Sequence, residues 1–259
     1  MPKRSGPMTP TNRDLRDEIR DYWSDRAATF DDDPGHRIGA DMAAWQDLFR
    51  RHLGDAQGRA LLDLASGTGE IARLCHSLGF AVTGLDWSEP MLDRARAKLP
   101  DVTFIQADAE RITLPSASMD VIVTRHLVWT LVEPTSAFAE WFRVLRPGGT
   151  LLVVDGDFVS RNLLGRIVQR LLPGGSPNAA AAASAARHKD ILSRVHFSAG
   201  ARADHVAALL HAAGFDRIDI DTNLAPIHRA QSAQLGWRKS LLRRSEHRYA
   251  ISATKPLAS

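Results

Sequence analysis

Apolar residues follow two alternating rhythms along this chain of 259 residues. Short apolar runs bounded by glycine, aspartate or proline predict strands over residues 60–64, 81–86, 102–107, 119–124, 150–155, 217–222 and 248–254. Between them, apolar positions recur every three to four residues and predict helices over 70–78, 89–98, 135–145 and 203–213. Two more helices precede the first strand. One covers 13–28, entered near a Thr11-Asn12 cap, and the other covers 40–53, where Met42, Trp45, Leu48 and Phe49 share one face. Strands alternating with helices predict an α/β fold, a Rossmann-like doubly wound sheet of about seven strands with right-handed crossovers.

Residues 158–202 break this alternation with an amphipathic piece at 163–172, then Pro173-Gly174-Gly175-Ser176-Pro177, an alanine run at 179–183, and 188–196. The segment follows the fifth strand, on the edge where strand C-termini and ligands meet in such sheets. A lid or substrate-selecting insertion hinged at the Pro-Gly stretch is the expectation, with a passive surface insertion as the alternative. The predicted organisation is a disordered tail over 1–12, N-terminal cap helices over 13–55, and a main domain over 56–259 that contains the insertion.

The most specific pattern joins the first two strands. Leu61-Leu62-Asp63-Leu64-Ala65-Ser66-Gly67-Thr68-Gly69-Glu70 runs from a strand through a glycine turn into a helix, and the second strand then delivers Asp86. Gly67 and Gly69 permit positive φ and close approach to bare backbone, the helix offers unpaired N–H groups, and Asp86 is placed to accept from ribose hydroxyls. Gly67-Thr68-Gly69-Glu70-Ile71-Ala72 formally fits the dinucleotide pattern G-x-G-x-x-G/A, so an NAD(P)-dependent oxidoreductase is a genuine rival. Asp63 tilts against it, because a carboxylate beneath the turn opposes a pyrophosphate and suits the ammonium and sulfonium end of S-adenosylmethionine. Asp108, after the third strand, is placed to accept from an adenine amino group, which a nicotinamide site does not require.

At these residues the chain resembles the class I S-adenosylmethionine-dependent methyltransferases, small-molecule branch, most closely those of ubiquinone and menaquinone biosynthesis. The resemblance rests on 63–69, 84–91, Asp108-Ala109, 120–131 and Leu145-Arg146-Pro147-Gly148-Gly149, and it covers roughly residues 20–157. It implies S-adenosylmethionine as cofactor, an antiparallel last strand, Gly67 and Gly69 at the methionine portion, Asp86 at the ribose, and Asp108 with the Ala109 N–H at the adenine. Tyr22, and Arg26 beside it, are implied to approach the methionine end. Where the family usually carries glycine this chain has Ala65, which predicts that the backbone there avoids a strongly left-handed conformation. Trp87 and Met91 are expected against the adenine, and Thr124 beside the cofactor at the end of the fourth strand.

Methyl transfer from a sulfonium disperses charge, so placing the two reactants and excluding water supplies much of the rate. In Thr124-Arg125-His126-Leu127-Val128-Trp129, His126 is the candidate general base and Trp129 an apolar or cation-binding wall. Arg125 is expected either to hold a substrate carboxylate or to pair with Asp86 or Asp120. A non-catalytic protein that kept the fold and the cofactor is the remaining alternative.

Composition narrows the rest. Hydrophobic residues make up 44% and charged residues 24%, enough for a full core without disulfides or metals. The one cysteine, Cys75, reads as a buried apolar residue, and no histidine pair shows metal-ligand spacing, so no metal site is expected. No apolar run spans a bilayer and residues 1–10 lack a signal-peptide core, which predicts a cytoplasmic protein. The net charge of +3 argues for no polyanion, so nucleic acid is an unlikely partner. Arg229, Arg238, Lys239, Arg243, Arg244 and Arg248 nevertheless cluster near the C-terminus, which leaves a solvated surface, an anionic small acceptor and nucleic acid as readings. His188 and His196 read as surface residues of the insertion.

Overall fold

The computed structural model describes residues 12–33, 35–161, 179–232, 240 and 246–257. Residues 1–11 of the predicted tail, the amphipathic piece at 163–172, the Pro-Gly hinge at 173–177, and Arg238, Lys239, Arg243 and Arg244 lie outside the described residues. Helix α1 (Asn12–Arg26) runs into a 3₁₀ turn (Ala27–Asp32), and α2 (Met42–Leu53) follows. Then come β1 (Ala60–Leu64), α3 (Glu70–Ser77), β2 (Ala81–Asp86), α4 (Glu89–Lys98), β3 (Thr103–Gln106) and β4 (Met119–Arg125). The second half holds α5 (Pro134–Val144), β5 (Leu145–Arg161), α6 (Ala179–Arg194), α7 (Ala203–Ala212), β6 (Asp216–Asp221), α8 (Ala225–Ser232) and β7 (Glu246–Thr254).

The seven strands lie in the order β3-β2-β1-β4-β5-β7-β6. Pairings from β3 through β5 are parallel, and β7 is antiparallel to both β5 and β6, so the last strand is reversed as expected. Helices cover both faces. On one side Trp45, Phe49, Leu74, Cys75 and Leu92 bring α2, α3 and α4 onto the sheet; on the other Phe138, Trp141, Val206 and Leu210 bring α5 and α7. Because β1 leads to β2 on one side and β4 lies on its other side, the strand order reverses between β1 and β4, where such sheets hold ligands.

Three sequence expectations change. Strand β5 is not confined to 150–155: pairing with β7 carries it to Arg161, so the first residues of the predicted insertion are sheet. Helix α8 was not predicted; its buried Ile227 and Gln231 pack it beside α2, where Gln231 donates to Asp41 at 2.8 Å. Helix α6 docks on α1 through Leu15, Tyr22, Ile191 and Val195, with Arg194 paired to Glu18 at 2.7 Å and Arg187 to Asp25 at 2.8 Å. His188, expected at the surface, is consequently half-buried: its ring lies 5.3 Å from those of Tyr22 and Trp129.

Candidate active site

At the β1–β4 reversal the turn after β1 is held from below and from the side. Ser66 N–H donates to Leu85 O at 3.0 Å, and Gly69 N–H to Ser66 O at 2.9 Å. Asp86 ties β2 to that turn: one carboxylate oxygen accepts from Gly67 N–H and the other from Ser88 N–H, both at 2.8 Å. Burial pushes the Asp86 carboxyl above its usual range, and those N–H donors pull it back. The turn imposes a left-handed backbone at Ala65, with φ of 54°, contrary to expectation. An alanine there costs about 1–2 kcal/mol, and the surrounding hydrogen bonds hold it in place.

A cavity opens above this turn, lined by Ala65, Gly67, Asp86, Trp87, Met91, Asp108, Ala109, Arg125 and His126 among the predicted residues. With Trp129, which also lines it, the structure brings ten of the fifteen predicted positions to one place. Gly69 is outside the lining; its φ of 86° starts α3, and a side chain there would meet Ala95 of α4 at 3.2 Å. Thr124 is buried and donates to Leu64 O at 2.9 Å, bridging β4 to β1. Tyr22 faces α6 and Arg26, whose Nη1 donates to its hydroxyl at 3.2 Å.

Asp63 is buried against α3, near Cys75, and is also outside the lining. Its Oδ2 has no partner among the described residues, and burial pushes its carboxyl up to about 8 in spite of Arg125 nearby. A buried acid with one unpartnered oxygen beneath a glycine turn fits a cationic ligand group better than a pyrophosphate. Arg125 pairs with neither Asp86 nor Asp120, because Asp120 is held by Arg146 at 2.6 Å. Its Nη2 donates instead to His36 O at 2.6 Å, its guanidinium lies over the Trp45 ring, and its Nη1 is buried without a partner. Burial holds this guanidinium below its usual value, partly offset by Glu70 and Asp63.

The sequence brings α1 to the site through Tyr22 and Arg26, but a different face of that helix forms the wall of the cavity. Arg16, Ile19, Arg20 and Trp23 of α1 all line it, and their spacing of i, i+3, i+4 and i+7 is one helix face, the signal that was available. Arg16 is buried and pairs with Glu110 at 2.7 Å and Glu133 at 2.5 Å, and lies 3.8 Å from Asp108. Arg20 covers the Trp87 ring at 5.6 Å, and Phe30 stacks on His36 at 4.0 Å. The segment after α1 is anchored by Thr68 Oγ1 to Asp31 at 2.6 Å and by Lys98, which reaches Asp31 at 2.7 Å and Glu70 at 3.1 Å.

Asp155 shapes the other wall. Buried at the end of β5, it accepts from Val128 N–H at 2.7 Å and Gly156 N–H at 2.8 Å, fixing the 3₁₀ turn Val128–Thr130 that carries Trp129. Burial pushes its carboxyl up to about 7. The folded chain then holds this proton more tightly than the unfolded chain, whose value is about 4, so stability falls as pH rises from about 4 through 7. Asp155→Asn removes the titration but satisfies only one of the two N–H donors, so it should lower Tm most at pH 5 and less at pH 7.5. A penalty independent of pH across that range contradicts this account.

Residues 62–153 match the family described as "Methyltransferase domain", which runs from β1 into β5. A demethylmenaquinone methyltransferase of Renibacterium salmoninarum is 30% identical over 149 residues, 57% of this chain and 63% of that protein. One of Paenarthrobacter aurescens is 28% identical over 250 residues, 89% of this chain and 91% of that protein. Phosphoethanolamine N-methyltransferase 2 of Haemonchus contortus shares the fold, with a TM-score of 0.65 at 18% identity over 96% of this chain and 60% of that one. The match to the Renibacterium protein thus spans less than two thirds of its length. Joined to the glycine turn, the acids at Asp86 and Asp108 and the sheet order, these likenesses make the chain similar, over residues 62–153, to the methyltransferase domain of class I S-adenosylmethionine-dependent enzymes.

Proposed function

We propose that this protein transfers the methyl group of S-adenosylmethionine to a small-molecule acceptor held between Trp23, Trp129, Arg125 and His126. The observation that carries this reading is the convergence of the Ala65–Gly67 turn, Asp86, Asp108 and the unpartnered Arg125 Nη1 on one cavity. Bound there, S-adenosylmethionine supplies an electrophilic methyl on a sulfonium. Asp86 would accept from the ribose hydroxyls, Asp108 and the Ala109 N–H would read the adenine, and Trp87 and Met91 would flank its ring. Asp63, Gly69 and Thr124 act from behind, shaping the turn and the strand ends.

The acceptor end is apolar, with Trp23, Phe30 and Trp129 as ring walls and one buried guanidinium. That combination favours a planar acceptor carrying an anionic or electron-rich oxygen and disfavours a protonated amine, which Arg125 repels. Demethylmenaquinone methyltransferases among the relatives fit the same acceptor class. Helices α1 and α6, docked on each other above the cavity, form the lid, with α6 supplied by the segment after β5. Among the described residues no helix is long and apolar enough to cross a membrane.

Calorimetry tests the reading. S-adenosylhomocysteine should bind at micromolar Kd or tighter, NADH should give no heat, and labelled cofactor should methylate at least one member of a panel of phenols, quinols and carboxylated aromatics. Micromolar NADH binding would move the protein to the oxidoreductases. Cofactor binding with no methyl transfer to any acceptor would favour a binding protein that kept the fold.

A further inference from the structure

Arg248 is far from the glycine turn in sequence and does not line the cavity, yet its side chain reaches His126, which does. On β7 it pairs with Gly156 of β5, and that glycine makes room for it: a Cβ at Gly156 would come within 3.2 Å of both Arg248 Cγ and the Phe158 ring. The stem crosses β5 at this gap. Its guanidinium then lies 5.3 Å over Phe158 and is gripped from behind by Glu246 at 2.7 Å, and Nη1 sits 3.4 Å from Nε2 of His126.

His126 is itself fixed. It follows β4 in a left-handed backbone with φ of 61°. Its N–H donates to Val154 O at 3.0 Å and its carbonyl accepts from Trp129 Nε1 at 2.8 Å. The imidazole meets the Phe158 ring edge-on at 5.4 Å. A residue other than glycine held in this conformation is over-determined by its surroundings, as at sites where ring orientation matters.

A guanidinium has five N–H donors and no acceptor, and it does not lose its proton in proteins. Opposite Nε2 it is compatible with a lone pair there and sets donor against donor if Nε2 carries hydrogen. We propose that Arg248 is a positioning residue that holds His126 as a neutral imidazole with its proton on Nδ1 and its Nε2 lone pair engaged. The mechanistic consequence rests on the methyltransferase reading above. A ring held in this way does not take the acceptor's proton, because doing so would place a second positive charge against Arg248. The methyl then leaves the sulfonium, whose sulfur keeps the bonding electron pair, and bonds to a lone pair the acceptor already carries; no proton passes to His126. The acceptor class this selects enters with its nucleophilic atom ionised, or with no proton to lose, and Arg125 supplies the counter-charge.

The ring tautomer is measurable without any acceptor. Long-range ¹H–¹⁵N spectra of the full chain labelled at histidine, with His126 assigned through its absence in His126→Gln, should show Nδ1 protonated and Nε2 bare at neutral pH. Arg248→Leu should move the pattern toward Nε2–H or a doubly protonated ring, and Arg248→Lys, whose ammonium also lacks an acceptor, should restore it. A wild-type His126 protonated at Nε2 overturns the proposal, whether or not Arg248→Leu folds. So does a pattern identical in the wild type and Arg248→Leu. S-adenosylhomocysteine titration of the same samples separates this outcome from failure of the cofactor reading, since the tautomer does not depend on it.

Discussion

Arg16→Ala is expected to destabilise the protein by about 3 kcal/mol, the low end for removing one partner of a buried ion pair. Arg16 is 5% exposed and Glu110, which it contacts at 2.7 Å, is 6% exposed, so its loss leaves a buried carboxylate without its counter-charge. The low end applies because Glu110 keeps two backbone donors, Val132 N–H at 2.8 Å and Glu133 N–H at 2.9 Å. The same guanidinium joins α1 to the loops after β3 and before α5, next to Asp108, the proposed adenine acceptor. The change should therefore also weaken S-adenosylhomocysteine binding. Urea unfolding measures the first effect as a lower midpoint at unchanged m. A loss under about 1 kcal/mol would mean that the backbone donors alone carry Glu110.

Asp86→Ala should weaken S-adenosylhomocysteine by about 1.5–3 kcal/mol, the range for a hydrogen bond to a charged group, or roughly 10- to 150-fold in Kd. Two contributions act in the same direction. The ribose hydroxyls lose an acceptor, and the turn loses the carboxylate that holds Gly67 N–H and Ser88 N–H at 2.8 Å. Calorimetry on a variant whose circular dichroism matches the wild type decides it. Unchanged affinity there removes Asp86 from the cofactor site. Asp86→Asn is the sharper probe, since its amide can satisfy one of the two N–H groups but not both, and it should fall between alanine and the wild type.

The strand, glycine turn and acid around which the cavity forms are legible in the sequence because they are local. Asp63 to Asp86 spans one strand, turn, helix and strand, and short-range backbone chemistry decides where such a unit puts its glycines and its acid. Ala65 marks the limit of that reasoning: propensity argued against positive φ, and a turn fixed by Ser66 N–H and Asp86 imposed it. Arg125 marks a second limit. Two acids were named for it, and both proved to be engaged elsewhere, which only the register of β4 against β1 and β5 reveals.

By itself the sequence determined the doubly wound sheet, most strand positions, the glycine turn with its two acids, and the placement of His126 and Arg125 at the ligand edge. These follow from hydrophobic period and from chemistry confined to a few neighbouring residues. The tertiary structure alone decided that one face of α1 closes the cavity through Arg16 and Trp23, and that Arg248 crosses β5 at Gly156 to reach His126. Arg16 and Glu110 are 94 positions apart, and Arg248 and His126 are 122 apart. Such pairs leave no periodic trace in the chain: each contact exists because folding desolvates two side chains together, and their partners are then chosen by packing, not by sequence spacing.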